Sequence, residues 1–129
     1  MMRAARAYQA VGQQTAVMAA GTVDLVLLLY DRLLDRIREA RQALMAGHIA
    51  ERGRFTGLAI EIIEKGLIGS LDDRRGGAVA QSLRKQYEIW MLLLIKANLE
   101  AAVSQLDSVE SQVRTVRSAW QELKAGRHS

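Results

Sequence analysis

The stretch from Glu88 to Lys96, EIWMLLLIK, places seven apolar residues in a row between two charged ones. A buried strand could carry such a run, but no alternating segment flanked by hairpin turn chemistry occurs in the chain. On a helical wheel of roughly 100° per residue, one set of apolar residues falls on a single face, as in the core of a helical bundle. These residues are Val79, Leu83, Tyr87, Trp90, Leu94 and Ala97.

Three further segments show the same helical period. The first begins near Thr22, a suitable N-cap, and stops before Gly47. Short connections between four helices predict an all-α fold, an antiparallel up-down four-helix bundle with a partly ordered N-terminal arm. The predicted helices cover residues 22–46, 50–71, 75–99 and 103–124, the arm covers 1–21, and a tail covers 125–129.

Glycines and acids indicate how the second and third helices are bounded. The second helix contains Gly53, Gly57, Gly66 and Gly69, each costly in a helix. Close approach of a neighbouring helix is the favoured explanation, and a kink near Gly66–Gly69 is the alternative. In LDDRRGG, residues 71–77, the first or second aspartate is expected to cap the third helix.

The composition excludes several classes of protein. The chain has 129 residues, no Cys and a net charge of +4, which fits one small domain in the cytoplasm. Arginines alternate with acids in YDRLLDRIREAR, residues 30–41, which predicts ion pairs at i,i+4 spacing on a solvated helix face and not a nucleic-acid site. The N-terminus lacks the apolar core of a secretory signal. The apolar runs fall short of the about 20 residues that span a bilayer, so no membrane insertion is expected.

Catalytic chemistry is not expected. His48 stands beside a glycine and His128 near the end of the chain, and neither has a carboxylate at the Glu-x-x-His spacing of di-metal bundles. Residues 74–82, RRGGAVAQS, lack the lysine followed by Ser or Thr that a P-loop requires. We therefore predict a protein that is not an enzyme and that binds neither a cofactor nor a metal.

Two of the predicted helices carry a second apolar stripe away from the core face. The arm could cover this stripe, a second copy could cover it in a monomer–oligomer equilibrium, or it could form a groove for a partner helix. The wheel alone does not choose between these possibilities. The stripe residues, and so the candidate partner-binding residues, are Leu25, Leu28, Ile89, Leu92, Ile95 and Leu99.

Four segments, in order, resemble the family of flagellar export chaperones called FliS. They are LLLYDRLLDRI (27–37), GSLDDRRGGAVAQSL (69–83), YEIWMLLLIKANL (87–99) and VRSAWQEL (116–123). AYQAV, residues 7–11, is similar to the tyrosine-bearing N-terminus of that family. Gln86 departs from the pattern, because a leucine often precedes the tyrosine of the third helix.

The resemblance implies a function. FliS proteins are four-helix bundles that bind the disordered C-terminal segment of flagellin in the cytoplasm, prevent premature polymerisation and help deliver it to the type III export gate. It also implies that the arm, with Tyr8, has a binding or gating role at the groove. The alternative is a structural or regulatory bundle whose second stripe is a homo-oligomer interface. The residues assigned to the core are Tyr30, Leu83, Tyr87, Trp90 and Trp120.

Overall fold

The computed structural model describes residues 20–127, all of them in helices or in short connections. Connections of two to four residues join the helices and reverse the chain. The prediction of an all-α four-helix bundle is confirmed, and no strand occurs between residues 20 and 127. The helices are α1 (Ala20–Ala46), α2 (Ile49–Glu61) with its π-helical continuation (Ile62–Ile68), α3 (Asp73–Glu100) and α4 (Val103–Arg127).

The helices form a square in which each packs on two neighbours. Helix α1 adjoins α2 and α4, and α3 adjoins the same two helices. Helices α1 and α3 therefore lie on a diagonal and do not adjoin along their backbones. The predicted arm and Tyr8 lie outside the described residues. None of the helices within residues 20–127 combines the length and apolarity that a membrane crossing needs.

The centre of the core is aromatic and internally hydrogen-bonded. The hydroxyls of Tyr30 and Tyr87 lie 2.8 Å apart, and Trp120 donates its indole N–H to the Tyr30 oxygen over 3.2 Å. Trp90 packs edge-on against Tyr30 and tilted against Tyr87. These four side chains and Leu83 are buried. The tyrosine hydroxyls thus find their hydrogen-bond partners in the middle of the bundle, in each other and in an indole.

The second helix departs from the α-helix in its last part, where residues 62–68 adopt π-helical hydrogen bonding. The segment ends at Gly69, where a Cβ atom would meet the Lys65 carbonyl oxygen at 2.2 Å. A Cβ at Gly66 would meet the Leu29 side chain at 2.9 Å, so close approach explains this glycine. That explanation is wrong for Gly53 and Gly57, whose Cβ positions are open. The alternative, a kink near Gly66–Gly69, stays a prediction; the backbone there is π-helical.

Helix α3 begins with a capped turn and a break. The Asp72 carboxylate accepts the backbone N–H groups of residues 74 and 75, and Gly77 has non-helical angles of φ 52° and ψ −128°. Regular helix therefore starts only after Gly77. Val79, expected in the core, lies in the first regular turn and is half-buried, while Ala80 takes the buried position. At the start of α1, the helix begins before Thr22, so Thr22 lies inside it and is not its N-cap.

More of the ion pairs of α1 reach α4 than connect two residues of α1 itself. Arg117 binds Asp31 through two bonds, the shorter 2.5 Å, and Arg41 lies 2.6 Å from Glu110. The expectation that the alternating charges of residues 30–41 pair within one helix holds only in part. Two pairs form within α1, Arg36–Glu39 and Arg38–Asp35, but at i,i+3 and not at the expected i,i+4 spacing.

Candidate functional site

The outer face of α3 exposes a continuous apolar stripe. Its members recur every three or four residues, so they align along the helix on the side opposite the core. The exposed fractions are 49% for Ile89, 65% for Leu92, 43% for Ile95 and 78% for Leu99. Residues alternating with them, such as Leu94, are buried. The run of seven apolar residues thus serves two faces, one inside the bundle and one outside.

The second predicted stripe, on α1, is exposed as well. Leu25 and Leu28 are each about half exposed. Because α1 and α3 lie on a diagonal of the bundle, their outer faces point away from each other. The sequence-predicted residues therefore form two separate surfaces, one on α3 and one on α1.

Two more exposed apolar residues lie where α1 ends and α2 begins. Met45 is 73% exposed and Ile49 is 70% exposed. The last turn of α3, with Leu99, lies at the same end of the bundle, where Arg52 of α2 donates to the Asn98 side chain over 3.0 Å. Sequence reasoning did not single out Met45 and Ile49. The signal was available: apolar residues flank the Gly47–His48 connection, beyond the reach of the core.

A glutamine on α4 fixes the register of α3 beneath its outer stripe. The Gln112 side-chain oxygen accepts the Trp90 indole N–H over 2.9 Å and the Gln86 amide over 3.1 Å. The hydroxyl of Ser108 completes the group by bonding the Gln112 amide over 3.3 Å. The departure of this sequence at Gln86 thus adds one polar bond between α3 and α4.

Several ion pairs join α1 to α4, away from the apolar stripe of α3. Partial burial raises the pKa of Glu110, but the hydrogen bond and charge of Arg41, helped by Arg114, outweigh it and hold that pKa below its ordinary value. This carboxylate is therefore a structural anion. Among residues 20–127 no group of three or more His, Asp or Glu side chains could hold a metal ion.

An exposed, regular apolar stripe on a rigid helix offers a surface for another apolar helix or extended segment. Comparison with known proteins shows the family of this chain. The family model described as "Flagellar protein FliS" matches residues 4–127. The chain belongs to the FliS family.

Curated relatives match over nearly the whole of the FliS chain described here. The flagellar secretion chaperone FliSB of Pseudomonas aeruginosa is 37% identical over 119 residues, 92% of this chain and 94% of the relative. The flagellar secretion chaperone FliS of Escherichia coli is 33% identical over 117 residues, 91% and 86% of the two chains. That of Salmonella typhimurium is 30% identical over 118 residues, 92% and 87%. The resemblance inferred from the four sequence segments is confirmed.

Proposed function

We propose that this protein is a flagellin-specific export chaperone acting in the cytoplasm. It binds the disordered C-terminal segment of flagellin, prevents premature polymerisation and assists delivery of flagellin to the flagellar type III export apparatus. The names of its relatives as flagellar secretion chaperones support a secretion role. No step in this function requires bond-making chemistry, so we propose stoichiometric binding and not catalysis.

The observation that carries the proposal is the outer stripe of α3. A bundle with a complete core needs one apolar stripe per helix, and this helix has a second one that no described residue covers. Its regular spacing suits a partner that adds an apolar helix or extended segment alongside α3. We place the flagellin segment on Ile89, Leu92, Ile95 and Leu99, and continue it over the bundle end onto Met45 and Ile49.

Magnitudes favour an extended contact. Full burial of a large aliphatic side chain contributes about 1.5–3 kcal/mol, and these side chains are already partly covered, so each offers about 1–2 kcal/mol. Ordering a disordered segment costs about 2–5 kcal/mol or more. Four residues on α3 leave a small surplus, and the two residues at the bundle end raise it. A single substitution at the centre of the stripe should therefore weaken binding clearly.

Calorimetric titration of the full chain with the C-terminal segment of its own organism's flagellin tests the proposal. The expected result is one-to-one binding with a large negative heat-capacity change, because apolar surface becomes buried. Leu92→Asp should weaken the affinity at least about tenfold, since a carboxylate would have to be desolvated against an apolar partner. Thr115→Asp, an exposed position on α4, is the matched control and should bind like the wild type.

The same samples test the homo-oligomer alternative. If the α3 stripe pairs two copies, the sedimentation coefficient will rise with protein concentration and Leu92→Asp will abolish that rise. A monomer that fails to bind the flagellin segment at micromolar concentration would contradict the proposed function.

A further inference from the structure

A cleft of about 570 Å³ separates α1 from α2 and its π-helical continuation. This volume is within the range of sites that bind ligands. Leu29, Leu58 and Ile62 supply its apolar wall. Because Gly66 has no side chain, Leu29 can pack directly against the π-helical segment. Leu25 continues this apolar line along the exposed face of α1, one turn toward its N-terminus.

The rest of the cleft lining is charged. Both helices supply it, with three cations, Arg32, Arg36 and Lys65, and two acids, Asp35 and Glu61. Both acids are already paired, Asp35 with Arg38 and Glu61 with Lys65. The cleft lining therefore has more cationic side chains than acidic ones.

The two arginines of the cleft differ in how they are paired. Arg32 forms no ion pair or hydrogen bond with any residue of the described range 20–127. The Nε atom of Arg36 is buried without a hydrogen-bond partner in the same range, although its terminal nitrogen lies 2.7 Å from Glu39. The exposed Arg32 guanidinium is open to a ligand carboxylate, whereas the buried Nε atom of Arg36 is not.

These groups lie in one line along α1. Leu25, Leu29, Arg32 and Arg36 follow the i, i+4, i+7, i+11 spacing of a single helix face. A partner helix lying along this face would need apolar side chains opposite the leucines and carboxylates opposite the arginines. Among the alternating charges of residues 30–41, Arg32 therefore remains available to a partner after the pairs within the bundle have formed.

We propose that the α1–α2 cleft is a docking site for an acidic amphipathic helix of a protein other than flagellin. The cleft faces away from the outer stripe of α3, so both surfaces can be occupied at once. The chain itself is a poor occupant: residues 1–19 contain arginines and no acidic residue. A second copy paired about a two-fold axis would place the cationic side chains of one cleft against those of the other.

Two labelled helical peptides test the site by fluorescence anisotropy with the full chain. The acidic probe carries Leu at i and i+4 and Glu at i+7 and i+11, and the basic probe carries Lys in place of both Glu. The expected result is at least about tenfold tighter binding of the acidic probe. The double variant Arg32→Glu/Arg36→Glu should reverse this preference. Arg114→Glu, an exposed arginine on α4, should leave it unchanged.

The measurement is repeated with the flagellin C-terminal segment already bound. Unchanged affinity for the acidic probe is the expected result. Equal binding of both probes, a charge-reversed variant that keeps the wild-type preference, or displacement of the probe by flagellin would each overturn the proposal. So would a concentration-dependent dimer that Arg32→Glu abolishes. A flagellin segment that does not bind would contradict the proposed function and leave the probe result standing.

Discussion

The hydroxyl oxygens of Tyr30 and Tyr87 lie 2.8 Å apart at the centre of the bundle and join α1 to α3, two helices whose backbones do not adjoin. Trp120 of α4 donates to the same Tyr30 oxygen. The Tyr30 hydroxyl thus links α1 to both α3 and α4 by hydrogen bonds. The two outer apolar surfaces, on α1 and on α3, are held back to back by this link.

Removing the Tyr30 hydroxyl should destabilise the protein more than removing the Tyr87 hydroxyl. Tyr30→Phe deletes the bonds to both Tyr87 and Trp120, whereas Tyr87→Phe deletes one of them. A buried hydrogen bond lost in this way costs about 1–3 kcal/mol in the free energy of unfolding. Urea denaturation of the two variants checks the order. Equal losses would show that the Trp120 bond contributes nothing.

The Arg41–Glu110 pair should make stability depend on acid pH. The folded-state pKa of Glu110 lies below its ordinary value, so its contribution is present above the unfolded-state pKa and is lost as pH falls through the folded-state pKa. Glu110→Gln should cost about 1–2 kcal/mol near pH 7. The difference between wild type and variant should shrink as the pH is lowered below about 4. Thermal unfolding across this range measures it, and a difference that stays constant would contradict the assignment.

Two glycine substitutions should act in opposite directions. Gly77→Ala places a Cβ on a backbone with φ 52° and ψ −128° and should cost about 1–2 kcal/mol. Gly53→Ala lies inside α2 with open space around the new Cβ and should stabilise the protein by up to about 1 kcal/mol. Denaturant midpoints of both variants provide the test. Destabilisation by Gly53→Ala would mean that this part of α2 is covered.

The two faces of α3 should respond differently to substitution. Leu92→Asp changes an exposed side chain and should alter the free energy of unfolding by no more than about 0.5 kcal/mol. Leu94→Ala, two residues away in the core, should cost about 2–5 kcal/mol. Circular dichroism during chemical denaturation distinguishes them. A large loss from Leu92→Asp would place that residue in the core and remove the outer stripe.

The sequence predicted the fold class and both faces of α3 because hydrophobic periodicity records which side of a helix is covered. Tyr87, Trp90 and Leu94 lie inside, and Leu92 and Leu99 lie outside, as the wheel indicates. The same wheel placed Val79 in the core, but the break at Gly77 delays the helix and leaves Val79 in a partly covered first turn.

Long-range geometry could not be read from periodicity. The partner of the Tyr30 hydroxyl is 57 residues away in sequence and that of Asp31 is 86 residues away. A wheel also treats each helix separately, so it could not show that Leu28 and Leu92 belong to opposite sides of the bundle. The cleft between α1 and α2 depends on the π-helical segment, for which Gly66 and Gly69 gave only an indirect signal.

Methyl NMR of the full chain tests the central claim most directly. Protein labelled at Ile and Leu methyl groups is titrated with the C-terminal segment of its own organism's flagellin, with buried Leu33 as the internal reference. We predict large shifts for Ile89, Leu92, Ile95 and Leu99 and little change at Leu25 and Leu28. Shifts confined to Leu25 and Leu28, or none on α3 at saturating flagellin segment, would contradict it.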